Sequence, residues 1–252
     1  MSNFDRNAAN RFGSGITRTD SAYDQGLRSY MIGVYNYMAL GLAITGLVAY
    51  GVFLTAVVPG SNPLMLTGVG QALFLSPLRW VVMLAPLAIV MVMSFGQSRM
   101  SASTTRLVFL AYSGLMGVFL SSVLLIYTAT SVANAFFVTA ATFGALSLYG
   151  YTTKRSLSAM GHFMFMALFG LIIASLVGMF VQSSGLQIAI SLATVVIFAG
   201  LTAWDTQSIK EMYAEGDGFE VVTKKSVFGA LRLYLDFINI FMALLRLTGD
   251  RR

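Results

Sequence analysis

The sequence predicts an all-α integral membrane protein with seven transmembrane helices. Three observations carry that reading. The first is composition: apolar residues make up 57% of the 252 residues and charged residues only 10%, with a mean hydropathy of +0.76. Soluble domains carry about a quarter charged residues, so too little polar material is present to cover a water-facing surface. The second is the spacing of charge. No Asp, Glu, Lys or Arg occurs from Met31 to Leu78, from Leu107 to Thr153 or from Ser156 to Trp204. A span needs about 20 apolar residues, so each of the last two stretches is too long for one span and fits two. The third is the pattern within the runs. They do not alternate with a period of two, which argues against barrel strands, and helices satisfy their own backbone groups in lipid.

The spans are expected at 31–56, 79–97, 107–128, 132–151, 161–181, 187–208 and 228–247. The second and third uncharged stretches each fold as a helical hairpin, with tips at TATS (128–131) and QSSG (182–185). The first stretch ends in a longer tip with helix breakers, VVPGSNP at 57–63 and Ser-Pro at 76–77. Ahead of the spans, residues 1–28 form a polar, flexible N-terminal tail, and 29–252 form the membrane domain. The tail has no apolar centre of the kind a cleaved signal peptide carries.

Lys and Arg orient the chain. Arg6, Arg11, Arg18 and Arg28 lie in the tail, Arg99 and Arg106 after the second span, Lys154 and Arg155 after the fourth, and Lys210, Lys224 and Lys225 after the sixth. The positive-inside rule puts all of these, and the N-terminus, in the cytoplasm. Seven full spans then leave Arg251 and Arg252 outside, so the seventh segment either spans fully, the favoured reading, or is re-entrant. The net charge of +6 is this topological signal. The basic residues form no run, which gives no ground for nucleic-acid binding. The absence of Cys excludes disulfides, thiolate metal sites and a thiol nucleophile.

Small residues recur where helices can approach closely: Gly41, Gly46 and Gly51, then Gly114 and Gly117, then Gly170, Ser175 and Gly178. Simple abundance of glycine in membrane helices explains them equally well. Pro86 is expected to kink the second span.

Two acids lie in apolar surroundings. Asp236 falls about mid-span in LYLDFINIF (233–241). At about 100° per residue, Arg232, Asp236, Asn239, Ala243 and Arg246 share one stripe. A charge near the bilayer centre costs at least about 2.5 kcal/mol and therefore faces protein or water, which puts the seventh helix inside the bundle. The plain alternative is an intrahelical Arg232–Asp236 pair. Asp205, in GLTAWDTQSIKEMY (200–213), ends the sixth span. It is either a solvated interfacial residue beside Lys210 or part of a wet pocket with Thr206 and Gln207. Helices six and seven are consecutive and antiparallel, so both carboxylates reach the same half of the bundle. Two close carboxylates titrate as one unit and share a proton. Ionised, they offer oxygen ligands and a negative field suited to calcium.

The segments AWDTQSIKEMYAEGDGFE and LYLDFINIFMALLRLTG, together with YSGLMGVFLSSVLLIYTATS at 112–131, resemble the signature regions of the Bax inhibitor-1 family. The likeness covers about 28–250. It implies two triple-helix layers around a central C-terminal helix. It also implies a passive calcium leak whose state is set by proton binding at an aspartate pair, here Asp205 and Asp236, with calcium as a transient ligand. A basic latch at the end of the second span is implied too, matched by Arg99 or, failing that, Arg106. Arg232, Asn239, Thr206 and Gln207 are the supporting polar residues. The chain lacks the lysine-rich tail of animal endoplasmic-reticulum members and resembles a bacterial inner-membrane form. Some bacterial relatives instead act as substrates and modulators of a membrane-bound AAA protease, with the N-terminal tail as handle. The expected surroundings are thus the lipid bilayer, protons and calcium, with that protease as a possible protein partner and no cofactor.

Catalysis has no support in the sequence. Membrane aspartyl proteases place their second aspartate in Gly-x-Gly-Asp, whereas Asp236 lies in Y-L-D-F. The loop acids Glu211, Glu215, Asp217 and Glu220 lack calcium-loop spacing. His162 reads as an interfacial residue and the 15 Met as core filler.

Overall fold

The computed structural model describes residues 23–61, 64–181 and 183–252. Most of the expected tail, 1–22, lies outside the described residues. Eight helices follow one another: α1 (Asn3–Ala56, taken here from Tyr23), α2 (Gly68–Phe74), α3 (Leu78–Gly96), α4 (Ala102–Ile126), α5 (Ala129–Thr152), α6 (Ser158–Phe180), α7 (Ser184–Glu211) and α8 (Phe219–Thr248). All but α2 are long and apolar enough to cross a membrane, and among the described residues no strand forms. Seven spans are therefore present as expected, with one short helix added in the first tip.

That tip is ordered by backbone pairing. Val58 donates to the Met65 carbonyl at 2.8 Å and Thr67 to the Ala56 carbonyl at 2.9 Å. Gly60 turns the chain with φ of 75°, a conformation that costs side chains with a Cβ. The Thr67 side chain then caps α2. Elsewhere the tips are short and three helix starts are set by a hydroxyl: Ser101 caps α4, Thr128 caps α5 and Ser183 caps α7. Pro86 lies buried within α3, which continues through it.

The helices form two layers. In one, α4 packs between α1 and α3, and in the other, α7 packs between α5 and α6. Helix α8 lies between the layers against α1, α4, α5 and α7. Its most apolar window is 72% buried, against 6% for α6 and 17% for α3, so the span that carries Arg232, Asp236 and Arg246 takes the position farthest from lipid. Its start departs most from expectation. Residues 219–227 read as a charged connection, yet they are helical. Thr223, Ser226 and Val227 are buried, while Lys224 and Lys225 are half-buried and Lys225 turns back to Asp217 and the Met212 carbonyl.

The basic segments gather at one end. Tyr23 and Tyr30 at the start of α1 stack on Tyr213 of the α7–α8 connection, with ring centroids 5.3 and 5.7 Å apart. Arg106, at the start of α4, donates to Thr223 of α8 at 3.1 Å. Lys210 of α7 donates to the Tyr151 carbonyl of α5 at 2.9 Å. The C-terminus lies at the other end: Thr128 donates to the Asp250 carbonyl at 3.1 Å and Arg252 to the Ile126 carbonyl at 2.9 Å. Helix α8 therefore runs the full depth of the bundle, and the re-entrant alternative is excluded.

Close approach is selective. A Cβ on Gly41 would meet the Phe109 ring at 2.7 Å, and one on Gly117 would meet the Thr45 carbonyl at 2.7 Å, so these two glycines seat α1 on α4. Gly46, Gly51, Gly114 and Gly170 face open space, where glycine abundance is the sufficient account. Closer approaches than these involve glycines that carried no sequence signal, among them Gly150 against the Ala203 backbone and Gly161 against the Trp204 ring, and Gly229 fits against Ile209 more loosely.

Candidate functional site

Asp205 comes from α7 and Asp236 from α8, one turn past Arg232. The helices are antiparallel neighbours held close by Gly229, whose α-carbon leaves room for Ile209. This brings the two carboxyl groups within hydrogen-bonding reach of each other. Asp236 is 3% exposed, and among the described residues its Oδ2 meets no hydrogen-bond partner. Asp205 is nearer water, its side chain 13% exposed, and Arg232 nearer still at 45%. Arg232 Nη1 stands 3.9 Å from Asp205 Oδ1, an ion pair at a length beyond a hydrogen bond. The guanidinium thus pairs across to α7, which disfavours a purely intrahelical role with Asp236.

The order from one end of the bundle inwards is Arg232, Asp205, Asp236. A buried carboxylate oxygen without a donor is costly. A proton held between two carboxyl groups removes that cost, and the single guanidinium then balances the remaining charge. The other side of Asp236 is apolar. Phe237 packs edge-on to Phe136 and Phe143, with centroids 5.5 and 5.7 Å apart, and Ile240 and Leu245 are fully buried. Ten residues separate Asp236 from Arg246, about 15 Å of helix, and this stretch closes the route to the far end.

The other expected residues are distributed differently. Arg99 follows α3 and among the described residues joins no ion pair. Arg106 does not reach either aspartate pairing; it bonds Thr223 and lies over the Tyr37 and Phe219 rings at 5.8 Å each. Its Nε is buried without a partner. The cation beside the aspartates is Arg232. Lys210 points to Tyr151 and leaves Asp205 to Arg232. Asn239 donates to the Leu235 carbonyl at 2.8 Å within its own helix.

Thr206 and Gln207 both hold neighbouring elements together through hydrogen bonds. Gln207 Oε1 accepts from the Leu157 amide at 2.7 Å and Nε2 donates to the Arg155 carbonyl at 2.9 Å, which ties the α5–α6 connection to α7. Thr206 donates to the Thr202 carbonyl at 2.8 Å and contacts Ser147 Oγ at 2.9 Å, and Ser147 meets Tyr35 Oη at 2.6 Å. This Tyr35–Ser147–Thr206 chain joins α1, α5 and α7 beside Asp205, and no sequence spacing announced it. Gln207→Leu is expected to cost about 2 kcal/mol, because two buried backbone groups lose their partners. Thermal unfolding in detergent checks this, and any pH response of ion flux should survive the change.

Among the described residues no three His, Cys, Asp or Glu side chains gather as a metal site. Two carboxylates supply at most four oxygens, short of the six to eight that calcium takes when held.

Comparison with known proteins agrees with this architecture. The sequence profile of the family described as "Inhibitor of apoptosis-promoting Bax1" matches residues 27–252. The chain belongs to the Bax inhibitor-1 family. It is 47% identical to a protein of Rickettsia prowazekii over 94% of this chain and 95% of the relative. It is 45% identical to the inner membrane protein YbhL of Escherichia coli over 90% and 94%, and 41% identical to the protein YrjE of Lactococcus lactis over 89% and 92%. It is a membrane protein of this family along essentially its whole described length, and both aspartates lie inside the matched region.

Proposed function

We propose that the protein is a pH-sensitive cation leak of the bacterial inner membrane that passes calcium, with Asp205 and Asp236 as its proton switch. The observation that carries this is a buried pair of carboxyl groups with a donorless oxygen and a single neighbouring guanidinium. The inner-membrane location follows the name of the Escherichia coli relative, and the end that gathers the basic segments is cytoplasmic by the positive-inside rule.

The charge balance gives the switch its sign. With one shared proton, the two carboxyl groups carry one negative charge and Arg232 cancels it. Loss of that proton leaves a net negative site deep in the bundle, which draws a cation and repels its own second carboxylate. Separation of α7 and α8 relieves that repulsion and opens the apolar stretch beyond Asp236. Flux is therefore higher on the alkaline side.

The test is calcium influx into liposomes holding the full chain and an enclosed dye, followed across about pH 6 to 8, because a coupled pair takes up and releases protons as one unit. Wild type should leak several-fold faster at the alkaline end, and Asp205→Asn/Asp236→Asn should flatten the profile. No leak above empty liposomes at any pH overturns the channel reading. Binding by a membrane-bound AAA protease through the N-terminal tail would then be the reading to pursue.

A further inference from the structure

We propose that the polar cavity at the far end of the bundle, opposite the α7–α8 connection, binds a phosphate-bearing anion through Arg246 and Arg251. The proposal is independent of the aspartate pair. The cavity, of about 490 Å³, lies between the end of α6, the start of α7 and the end of α8, with Tyr127 at its edge. That volume exceeds what a halide or a single water needs and accommodates a phosphate with part of the group that carries it.

Charge is the first argument. Two guanidinium groups line the cavity and no acid does. Among the described residues neither arginine joins an ion pair. Asp250, the acid nearest in sequence, accepts from the Ser131 hydroxyl at 3.5 Å and lines a separate cavity with Asn134 and Leu244. Arginine is the side chain suited to phosphate, because its planar fork donates two parallel hydrogen bonds to two oxygens.

Preorganisation is the second. Arg251 follows the end of α8, where chains fray, yet it pairs with Tyr127 in an isolated β-bridge. Its neighbours are fixed too: Arg252 donates to the Ile126 carbonyl and lies over the Phe53 ring at 5.6 Å. The last residues are thereby tied to the α4–α5 tip with Arg251 at the cavity. Ser184 and Gln187 on the first turn of α7 also line it, and that turn contains no acid, so its amide ends add positive potential.

The ordinary account of Arg246 is a cation on the last turn of a helix, favoured by the macrodipole. It explains neither Arg251, which lies beyond the helix, nor the acid-free cavity the two share. Location completes the case. The cavity sits where helices end, the part of a span that meets head groups, and α6, which forms one wall, is the span least buried in protein. The phosphate can thus belong to an anionic lipid head group or to a free ion.

The test uses the purified full chain in neutral detergent. Native mass spectrometry follows retention of short-chain phosphatidylglycerol against phosphatidylcholine, and a parallel arm follows thermal unfolding with millimolar inorganic phosphate. Wild type should retain phosphatidylglycerol about tenfold more tightly than phosphatidylcholine, as expected for two charge-assisted contacts. Arg246→Gln/Arg251→Gln should lose that preference. Arg251→Gln, which leaves α8 intact, should lose part of it and guards against misfolding of the double variant. Protection by inorganic phosphate in wild type and not in the variants assigns the site to the free ion. Equal retention of both lipids by wild type, with no protection by phosphate, overturns the proposal, as does wild-type binding in both variants.

Discussion

Gly150→Val should prevent stable assembly of the α5–α7 layer, whereas Gly170→Ala should leave the protein as stable as wild type or slightly more so. A Cβ at position 150 would lie 3.0 Å from Ala203 Cα and closer still to the Ala203 carbonyl. Those are backbone atoms of α7, which cannot swing aside as a side chain tip can. Relief requires α5 and α7 to separate, and this breaks the neighbouring Ser147–Thr206 contact and the seat of Asp205. Overpacking of a close-packed interior costs about 1–3 kcal/mol and more where backbone must move. For a chain of this size about 3 kcal/mol lowers the melting temperature by roughly 10 °C. At position 170 the added methyl group meets nothing and gains helix propensity of up to about 1 kcal/mol. Size-exclusion profiles and melting curves in one detergent check both. A Gly150→Val protein that elutes and melts like wild type would show that the two layers do not depend on this contact.

The sequence made the two kinds of glycine hard to tell apart. Spacing selected Gly41 and Gly117 correctly, but also Gly46, Gly51, Gly114 and Gly170, because composition along a helix says which residues are small and not which face meets a neighbour. Gly150 and Gly161 stand near helix ends, and their reason lies on α7 at Ala203 and Trp204, more than forty residues away in sequence. The span count and the inward position of α8 were legible for the opposite reason, while the two-layer plan came only with the likeness to the family. Lipid makes each uncharged run a helix by itself, and the few charges of the last span, Arg232 and Asp236 among them, have only the bundle interior to go to. The start of α8 was misread because Lys224 and Lys225 look like loop residues, whereas the helix keeps them half-buried. At the site, the meeting of Asp205 with Asp236 followed from two antiparallel neighbours. The cation beside them did not. Lys210 lies closer to Asp205 in sequence, and only the packing of α7 on α8 reveals that Arg232 faces it while Lys210 holds Tyr151. Arg99 and Arg106, chosen by likeness to a latch, sit off the pair for the same reason.

Arg232→Gln should raise calcium leak at acid pH by about fivefold and compress the ratio between alkaline and acid flux, whereas Arg232→Lys should behave nearly as wild type. The argument is the charge count at the pair. Under the proposed switch, the singly protonated aspartates and Arg232 sum to zero in wild type, so the closed site would offer a cation nothing. Without the guanidinium the same protonation state carries one uncompensated negative charge, the condition that otherwise arises only when the last proton leaves. A unit charge at about 4 Å interacts by roughly 4 kcal/mol at an effective dielectric of 20. The Arg232 side chain is 45% exposed, so solvent screening reduces that to a fraction, and about fivefold in flux is the scale that remains. Lysine restores the charge, and the 3.9 Å separation means that no bidentate geometry is lost with the guanidinium. A merely structural Arg232 would give a different pattern: lower melting temperature in both variants with an unchanged pH ratio in each. The decisive readout is therefore the ratio of dye-reported influx at about pH 8 to that at about pH 6, compared between Gln and Lys in the same liposomes, because a coupled pair exchanges protons as one unit. If Arg232→Gln keeps the wild-type ratio, the guanidinium is no part of the switch, and the shared proton must be balanced by charge elsewhere in the bundle.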